Sequence, residues 1–354
     1  MSLGENIFED ALKELDEKKQ VEDLNKSISL DYLLSMQFPE NKWLIDKLIP
    51  SECITLLSGA PASFKTWLLL RMALDIAKGE YLLDQFKCEQ NNVLIIDEEN
   101  HLRLIQERLK ALGATSDLPI YFLSQKGFLV SKKGMIENVL KLCEEKNINV
   151  IFIDSLVRIN NADENDASKM SEVFREIKRF CQNHKTVILT HHERKEGTVK
   201  ASAQNRLRGS SDIQAAVDCH LAVIRDRNDR NKIIIEQAKL RLDEEMKPFE
   251  ANVRKNENLT EFIYLGQHSE EAKKKDLAKE AVVDILEEET NGLSMNEIVR
   301  RVKEFRDIGN KSITSAIKEL ITEKIVLERK GEGNTKICYL WKFSQETDLP
   351  ELLV

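Results

Sequence analysis

Residues 54–66 read ITLLSGAPASFKT. An aliphatic run leads into small residues, and KTWLLLRMALDIAKG (65–79) follows with apolar residues at helical spacing. The pattern predicts a strand over 54–58, a tight loop, and a helix over 65–79. A loop at the head of a helix points free backbone N–H groups outward, and the helix dipole adds to their attraction for negative charge. A lysine at its end reaches the β- and γ-phosphates of a nucleoside triphosphate, and the next hydroxyl ligates Mg²⁺. Gly59, Ala60, Pro61, Ala62, Ser63, Phe64, Lys65 and Thr66 are therefore the candidate phosphate loop, with ATP and Mg²⁺ as its cofactors. One position departs from the G-x-x-x-x-G-K-[ST] form, which asks for glycine where the chain has Phe64. The amide survives, so the loop still forms if its backbone there tolerates a β-carbon.

Working outward, apolar strands alternate with helical patterns. NVLIIDEE (92–99) reads as a strand, and HLRLIQERLKALG (101–113) as a helix closed by Gly113. MIENVLKLCEEK (135–146) and SKMSEVFREIKRFCQNH (168–184) read as helices, NVIFID (149–154) and TVILTHH (186–192) as strands. Continuous apolar strands separated by helices indicate a parallel sheet buried on both faces. The runs 219–226, 231–241 and 261–266 lack helices between them and read as antiparallel strands added at the sheet edge.

Acidic residues at strand ends complete such a site. Asp154 closes NVIFID and is placed to hold Mg²⁺. Asp97, Glu98 and Glu99 close the neighbouring strand; spacing alone leaves either glutamate open as the base that orients water. His191 and His192 close a third strand, where a neutral imidazole would hydrogen-bond a γ-phosphate. Adjacent strand residues point opposite ways, which argues against both histidines on one metal ion.

Together, WLIDKLIP (43–50), GAPASFKT, LIIDEEN, ERLKALGA, FIDSLVRINNADEN, LTHHERKEG and RLRGSSD resemble the RecA-like hexameric ATPases, and most nearly the RepA-type replicative helicases of plasmids, phages and mobile elements. The resemblance covers about 40–265. It implies a homo-oligomeric ring, a hexamer, with ATP bound between subunits. It assigns Lys65 and Thr66 to the phosphate loop pair, Glu99 to the catalytic glutamate, Asp154 to Mg²⁺ and His192 to the γ-phosphate sensor. Lys239 and Arg241 fit a pair that in related rings projects into the neighbour's site; the alternative is an ordinary exposed strand face.

Nucleic acid has two candidate contacts. ERKEGTVKASAQNRLRGSS (193–211) carries Arg194, Lys195, Lys200, Arg206 and Arg208 in a Gly- and Ser-containing loop that starts at the sensor histidine. Copies of it in a ring would track single-stranded DNA by charge; it equally reads as a solvated loop. It has no aromatic residue for base stacking. The C-terminal stretch reads as helix (275–289), helix (295–305) opened by a capping box from Ser294 to Glu297, helix (312–325), and hairpin (326–343). That is winged-helix architecture, with Lys311, Ser312, Thr314, Ser315 and Lys318 on the recognition helix and Lys330 and Lys336 on the wing. It reads as a DNA-binding or a partner-binding module.

The expected fold is α/β: a RecA-like P-loop ATPase core, mostly parallel sheet between helices, plus a small C-terminal winged helix. The expected boundaries are an acidic arm or tail (1–35), the ATPase domain (36–266), a linker (267–276), the winged helix (277–345) and a tail (346–354). The chain has 354 residues and a net charge of −8, which argues against nucleic-acid binding over the whole surface but not against a local basic channel. Six cysteines form no CxxC pair, the first residues, MSLGENIFEDALKELDEKK, lack the basic-then-apolar pattern of a signal peptide, and no apolar run approaches the ~20 residues of a membrane helix. A cytoplasmic protein without membrane contact is expected. The function class is an ATP-hydrolysing ring motor on single-stranded DNA, a replicative helicase that would meet an initiator or loader. The second class is an ATP-switched DNA-binding regulator or initiation factor without unwinding.

Overall fold

The computed structural model describes residues 27–37, 41–193, 207, 211–226, 229–256, 259–331 and 335–343. The chain divides into two units, residues 1–42 and 43–354. In the first, one short helix is described, α1 (Leu30–Ser35), capped by Ser29 Oγ, which accepts from the Tyr32 amide at 3.2 Å. The arm expected over 1–35 otherwise lies outside the described residues.

The second unit opens with a short ladder of β1 (Trp43–Ile45) and β2 (Ile49–Pro50), then β3 (Ile54–Gly59) and α2 (Lys65–Lys78). There follow β4 (Tyr81–Leu82), β5 (Phe86–Lys87), β6 (Asn92–Asp97), α3 (Leu102–Ala111), β7 (Ile120–Ser124), α4 (Met135–Glu145) and β8 (Ile148–Asp154). Next come α5 (Ala167–Gln182), β9 (Thr186–His192), α6 (Ser211–Ala216), β10 (Cys219–Arg225), β11 (Lys232–Leu240), β12 (Phe249–Lys255) and β13 (Thr260–Gln267). Among the described residues, nine strands form one sheet in the order β13-β12-β11-β10-β3-β9-β8-β6-β7. From β10 to β7 every neighbouring pair is parallel. The other three strands join antiparallel at the β10 edge. The fold is the expected mixed α/β one, with a large, mostly parallel central sheet flanked by helices. Gly113, just past the end of α3, has φ 77°, the left-handed backbone of a helix stop.

The period of two along each strand divides the core. Val93 and Ile95, Val150 and Phe152, and Leu57 and Ile188 pack with α2 on one face. Leu94 and Ile96, Ile151 and Ile153, and Leu56 and Leu189 pack with α4 and α5 on the other. A strand-terminal side chain therefore has its face set by parity: Asp97, Asp154, Thr190 and His192 belong to the α2 face, and His191 to the opposite one.

Asp75 is fully buried on α2, gripped by Arg71 one turn earlier, Nε to Oδ2 and Nη2 to Oδ1, each 2.8 Å. Burial pushes its carboxyl from 3.8 up to about 6, with Arg71 pulling the other way. Through that window the folded chain holds a proton the unfolded chain has lost, so stability falls as pH rises, by ~3 kcal/mol at most. Urea unfolding of wild type and Asp75→Asn at pH 4 and pH 7 checks this. The variant should gain on the wild type as pH rises; a constant difference between them would refute it.

The C-terminal part has its own core, built by α7 (Glu270–Glu288), β14 (Leu293–Ser294), α8 (Met295–Phe305), α9 (Asn310–Thr322), β15 (Val326–Lys330) and β16 (Lys336–Leu340), with sheet order β14-β16-β15. Two expectations are corrected here. The linker expected at 267–276 is largely helix, because α7 starts at Glu270; Lys275 is a partner of Glu319 at 2.5 Å rather than part of a solvated spacer. The capping box is half made. Ser294 Oγ accepts from the Glu297 amide at 3.3 Å, but the Glu297 carboxylate takes Arg300 and Arg301 instead of reaching back. Among the described residues no helix is long and apolar enough to cross a membrane.

Candidate active site

In parallel sheets of this kind, ligands bind beyond the carboxyl ends of the strands. Here that edge carries Gly59, Asp97, Asp154, His192 and Arg225. Register aligns Asp97 with Asp154 and Gly59 with His192. At Gly59 a β-carbon would lie 2.5 Å from the Val223 carbonyl oxygen and 2.6 Å from Ser63 Oγ, so the loop starts where only glycine fits. Phe64 caps α2 with φ 69° and ψ 15°. It adopts the left-handed backbone that the template glycine would take freely, at a cost of roughly 1–2 kcal/mol. Its ring is half-buried, with the Arg225 guanidinium carbon 4.9 Å and Lys255 Nζ 5.2 Å from the ring centroid.

Lys65 is buried, and its Nζ donates to the carbonyl oxygens of Gly59 (2.6 Å) and Ala60 (2.9 Å). Burial pulls its ammonium below the usual range, while Asp154, Glu193 and Glu99 act to keep it charged. Thr66 Oγ1 donates to Asp154 Oδ2 at 2.9 Å, and Thr190 Oγ1 to Asp154 Oδ1 at 2.5 Å. Burial pushes the Asp154 carboxyl up against these two hydrogen bonds. A carboxylate so placed gains from a cation beside it. The arrangement fits a magnesium nucleotide. Hydroxyl and carboxylate oxygens from Thr66 and Asp154 suit a hard cation that otherwise keeps water and phosphate ligands. Ser63 Oγ is buried in the loop without a hydrogen-bond partner among the described residues.

The three acids closing β6 separate by role. Asp97 Oδ1 accepts from the amides of Glu99 (2.9 Å) and Asn100 (2.7 Å), and so fixes the turn. Glu98 accepts from three amides of the next loop, those of Lys126 (3.0 Å), Gly127 (3.1 Å) and Phe128 (3.0 Å). Glu99 faces the site: Ser155 Oγ donates to its Oε2 at 3.0 Å, and His192 Nε2 lies 3.8 Å from the same oxygen. His192 and then Ser155 hold its carboxyl down at about 2, against partial burial. Geometry thus separates two glutamates that spacing leaves equal. The histidines diverge as parity requires: buried His191 has Nδ1 3.7 Å from Glu164 Oε1, whereas His192 turns to Glu99.

Lys239 and Arg241 lie elsewhere in the chain's own fold. Leu240 is level with Cys219, and Cys219 with Thr55, near the start of β3; the phosphate loop follows its end. Lys239 Nζ donates to the carbonyls of Gln214 (2.7 Å) and Ala215 (3.2 Å), which closes α6. Arg241 pairs with Asp218 at 2.7 Å and donates to the Ala215 carbonyl at 3.0 Å. Neither residue reaches its own phosphate loop.

Arg194, Lys195, Lys200, Arg206 and Arg208 lie outside the described residues. Glu193, which begins that segment, is anchored: its amide donates to the Gly59 carbonyl at 3.2 Å, and Ser58 Oγ donates to its Oε1 at 2.9 Å. In the C-terminal part, Glu319 and Glu323 turn to Lys275 and Lys279 of α7, while Lys311 and Lys318 stand exposed on α9. The outer surface of α9 is therefore more basic than its composition suggests. On the hairpin, Lys336 is paired with Glu328 at 3.0 Å.

Several site residues escaped the sequence reading. Asn100 Nδ2 bridges Asp97 (3.0 Å) and, more distantly, Asp154 (3.5 Å). Arg108 lies over the Trp67 ring at 5.7 Å, with Nη1 buried and unpartnered among the described residues. Arg225 closes β10 just as Asp97 and Asp154 close theirs, and that strand-terminal position was the available signal. Lys255 gave none, since β12 itself was not anticipated.

A family model described as AAA domain matches residues 21–198, half of the chain. No curated protein matches it. The matched segment contains the phosphate loop, Asp97, Glu98, Glu99, Asp154 and His192. With strand, loop, helix and acidic strand ends in this order and at one sheet edge, the chain belongs to the AAA domain family, whose P-loop is a nucleoside triphosphate site.

Proposed function

We propose that the chain is an ATP-hydrolysing motor that assembles as a homo-oligomeric ring, a hexamer, and translocates on single-stranded DNA as a replicative helicase of a plasmid, phage or mobile element. The observation that carries this is the hydrogen bonding of Glu193, the residue just before Arg194, to the start of the phosphate loop. Lys65, Thr66, Asp154, Glu99 and His192 supply binding and hydrolysis. Glu193, next to His192, is hydrogen-bonded to Ser58, the last residue before the loop, and to Gly59, its first. A change at the γ-phosphate therefore has a path of two adjacent residues into Arg194, Lys195, Lys200, Arg206 and Arg208. Mg²⁺, held by Thr66 and Asp154, would neutralise charge on the β- and γ-phosphates. Glu99 orients water, His192 hydrogen-bonds the γ-phosphate, and Lys65 binds the phosphate oxygens.

The C-terminal helices and three-stranded sheet are read as a winged helix whose α9 presents Lys311 and Lys318 to DNA. A loader or initiator bound there would be the partner of a replicative motor.

Strand displacement on a forked duplex tests the motor reading. ATP-dependent displacement, absent in Lys65→Ala, is expected. DNA-stimulated hydrolysis without displacement would leave the ATP-switched regulator instead. Lys239 and Arg241, out of reach of their own phosphate loop, are assigned to the neighbour's site. Lys65→Ala and Arg241→Ala subunits, each inactive alone, should regain part of the hydrolysis when mixed, because a mixed interface pairs an intact loop with an intact arginine. Absence of any recovery on mixing would remove Arg241 from the mechanism and leave it the cap of α6.

A further inference from the structure

Beside the phosphate loop is a cluster of cations and rings that no motif predicts. The guanidinium of Arg225 lies over Phe64 at 4.9 Å, and its Nη1 donates to the carbonyl of Ala62, inside the loop, at 3.3 Å. Lys255 Nζ sits over Phe64 at 5.2 Å and over Trp67 at 4.4 Å. Arg225 ends β10 and Lys255 ends β12, and both strands run toward the edge that carries Gly59. Neither cation has a carboxylate within ion-pairing distance among the described residues. They also repel: partial burial, then Arg108 and Arg225, pull the Lys255 ammonium below its ordinary range. Like charges gathered without a counter-charge are unfavourable until an anion arrives.

We propose that Arg225 and Lys255 are nucleotide-binding residues acting in cis, held on the face of Phe64 so that their charges converge on the polyphosphate at the loop. The proposal rests on the reading of that loop as an ATP site. It also explains the departure at position 64. A phenylalanine in a left-handed backbone is costly, but its ring is the shelf on which both cations lie, Arg225 also reaching the Ala62 carbonyl. Glycine would restore the common loop and remove the shelf. The ligand class is a nucleoside triphosphate rather than a nucleoside, because charge and not base shape is what the cluster offers.

Displacement of a fluorescent ATP analogue from the full chain, by ATP and by adenosine, tests this. Arg225→Gln and Lys255→Met should each weaken ATP binding by about fivefold to tenfold, with adenosine affinity hardly changed. Phe64→Gly should weaken ATP binding by about tenfold although it relieves the backbone, while Phe64→Tyr stays close to wild type. Lys65→Ala is the control for the loop itself. If Lys65→Ala loses ATP while the Arg225→Gln, Lys255→Met double variant binds it normally, the loop stands and the proposal falls. If Lys65→Ala binds ATP normally, the loop reading falls and takes the proposal with it. If the double variant loses affinity only for single-stranded DNA, the cluster is a nucleic-acid contact and the proposal is overturned.

Discussion

Lys65→Ala should lower ATP hydrolysis by at least ~100-fold, the scale set by removal of one preorganised charge donor from a reacting centre. The residue is 8% exposed, and both of its side-chain hydrogen bonds go to carbonyls of its own loop. It gives those neutral acceptors nothing they need for folding that water could not supply at this edge. The charge is nonetheless maintained inside the fold by three carboxylates, Asp154, Glu193 and Glu99, against burial. That electrostatic arrangement is understandable for a cation that must exchange carbonyls for phosphate oxygens. Alanine at this first helical position favours α2, so the melting temperature should change little. Phosphate release and nucleotide affinity, measured beside the melting temperature, check the prediction. A variant with unchanged melting and unchanged hydrolysis would remove Lys65 from the chemistry.

How much of this was legible in the sequence depends on how local each signal is. β3, β6, β8 and β9 are continuous aliphatic runs between helices, and their terminal Asp97, Asp154 and His192 fall on the predicted edge because strand parity is a local rule. β7 and β12 were missed. The first, IYFLS, is a short strand at the sheet margin, half-buried over most of its length; the second, FEANVRK, interrupts its alternation with polar residues. Position 64 was legible as a conflict, yet its resolution needed Arg225 and Lys255, which arrive from strands more than a hundred residues away in the chain. The face of Lys239 and Arg241 was legible as a strand surface. Their distance from their own phosphate loop required the antiparallel return of β11, which carries them to the opposite edge. The expected linker is helix instead because a run of lysines looks like a solvated spacer until Glu319 of α9, which pairs with Lys275, is in view.

Glu99→Gln and Glu98→Gln should fail in different ways, although the two residues are adjacent and chemically alike. Glu99→Gln should lower hydrolysis by ~10²–10⁴-fold, the range for loss of a positioned acid–base group, and leave nucleotide affinity near wild type. Glu99 contacts Ser155 and lies near His192, on the face where Lys65, Thr66 and Asp154 meet, and no backbone amide of the described residues rests on its carboxylate. Glu98→Gln changes a carboxylate that accepts three backbone amides from 126–128. Its amide group keeps only one acceptor oxygen and turns a donor toward donors, so the variant should lose ~1–3 kcal/mol of stability while the hydrolysis of its folded fraction stays within a small factor. The pH dependence adds a sign. A Glu99 carboxyl held at about 2 stays ionised throughout the neutral and mildly acidic range. Such a carboxylate is a weak base, suited to orienting water rather than taking its proton, so on the proposed reading hydrolysis should show no acid limb from Glu99 between pH 7 and pH 5. Steady-state rates across that range, with urea unfolding of both variants, separate the roles. Equal losses of rate from the two substitutions, without loss of stability in Glu98→Gln, would show that the amide-bound glutamate also takes part in the reaction.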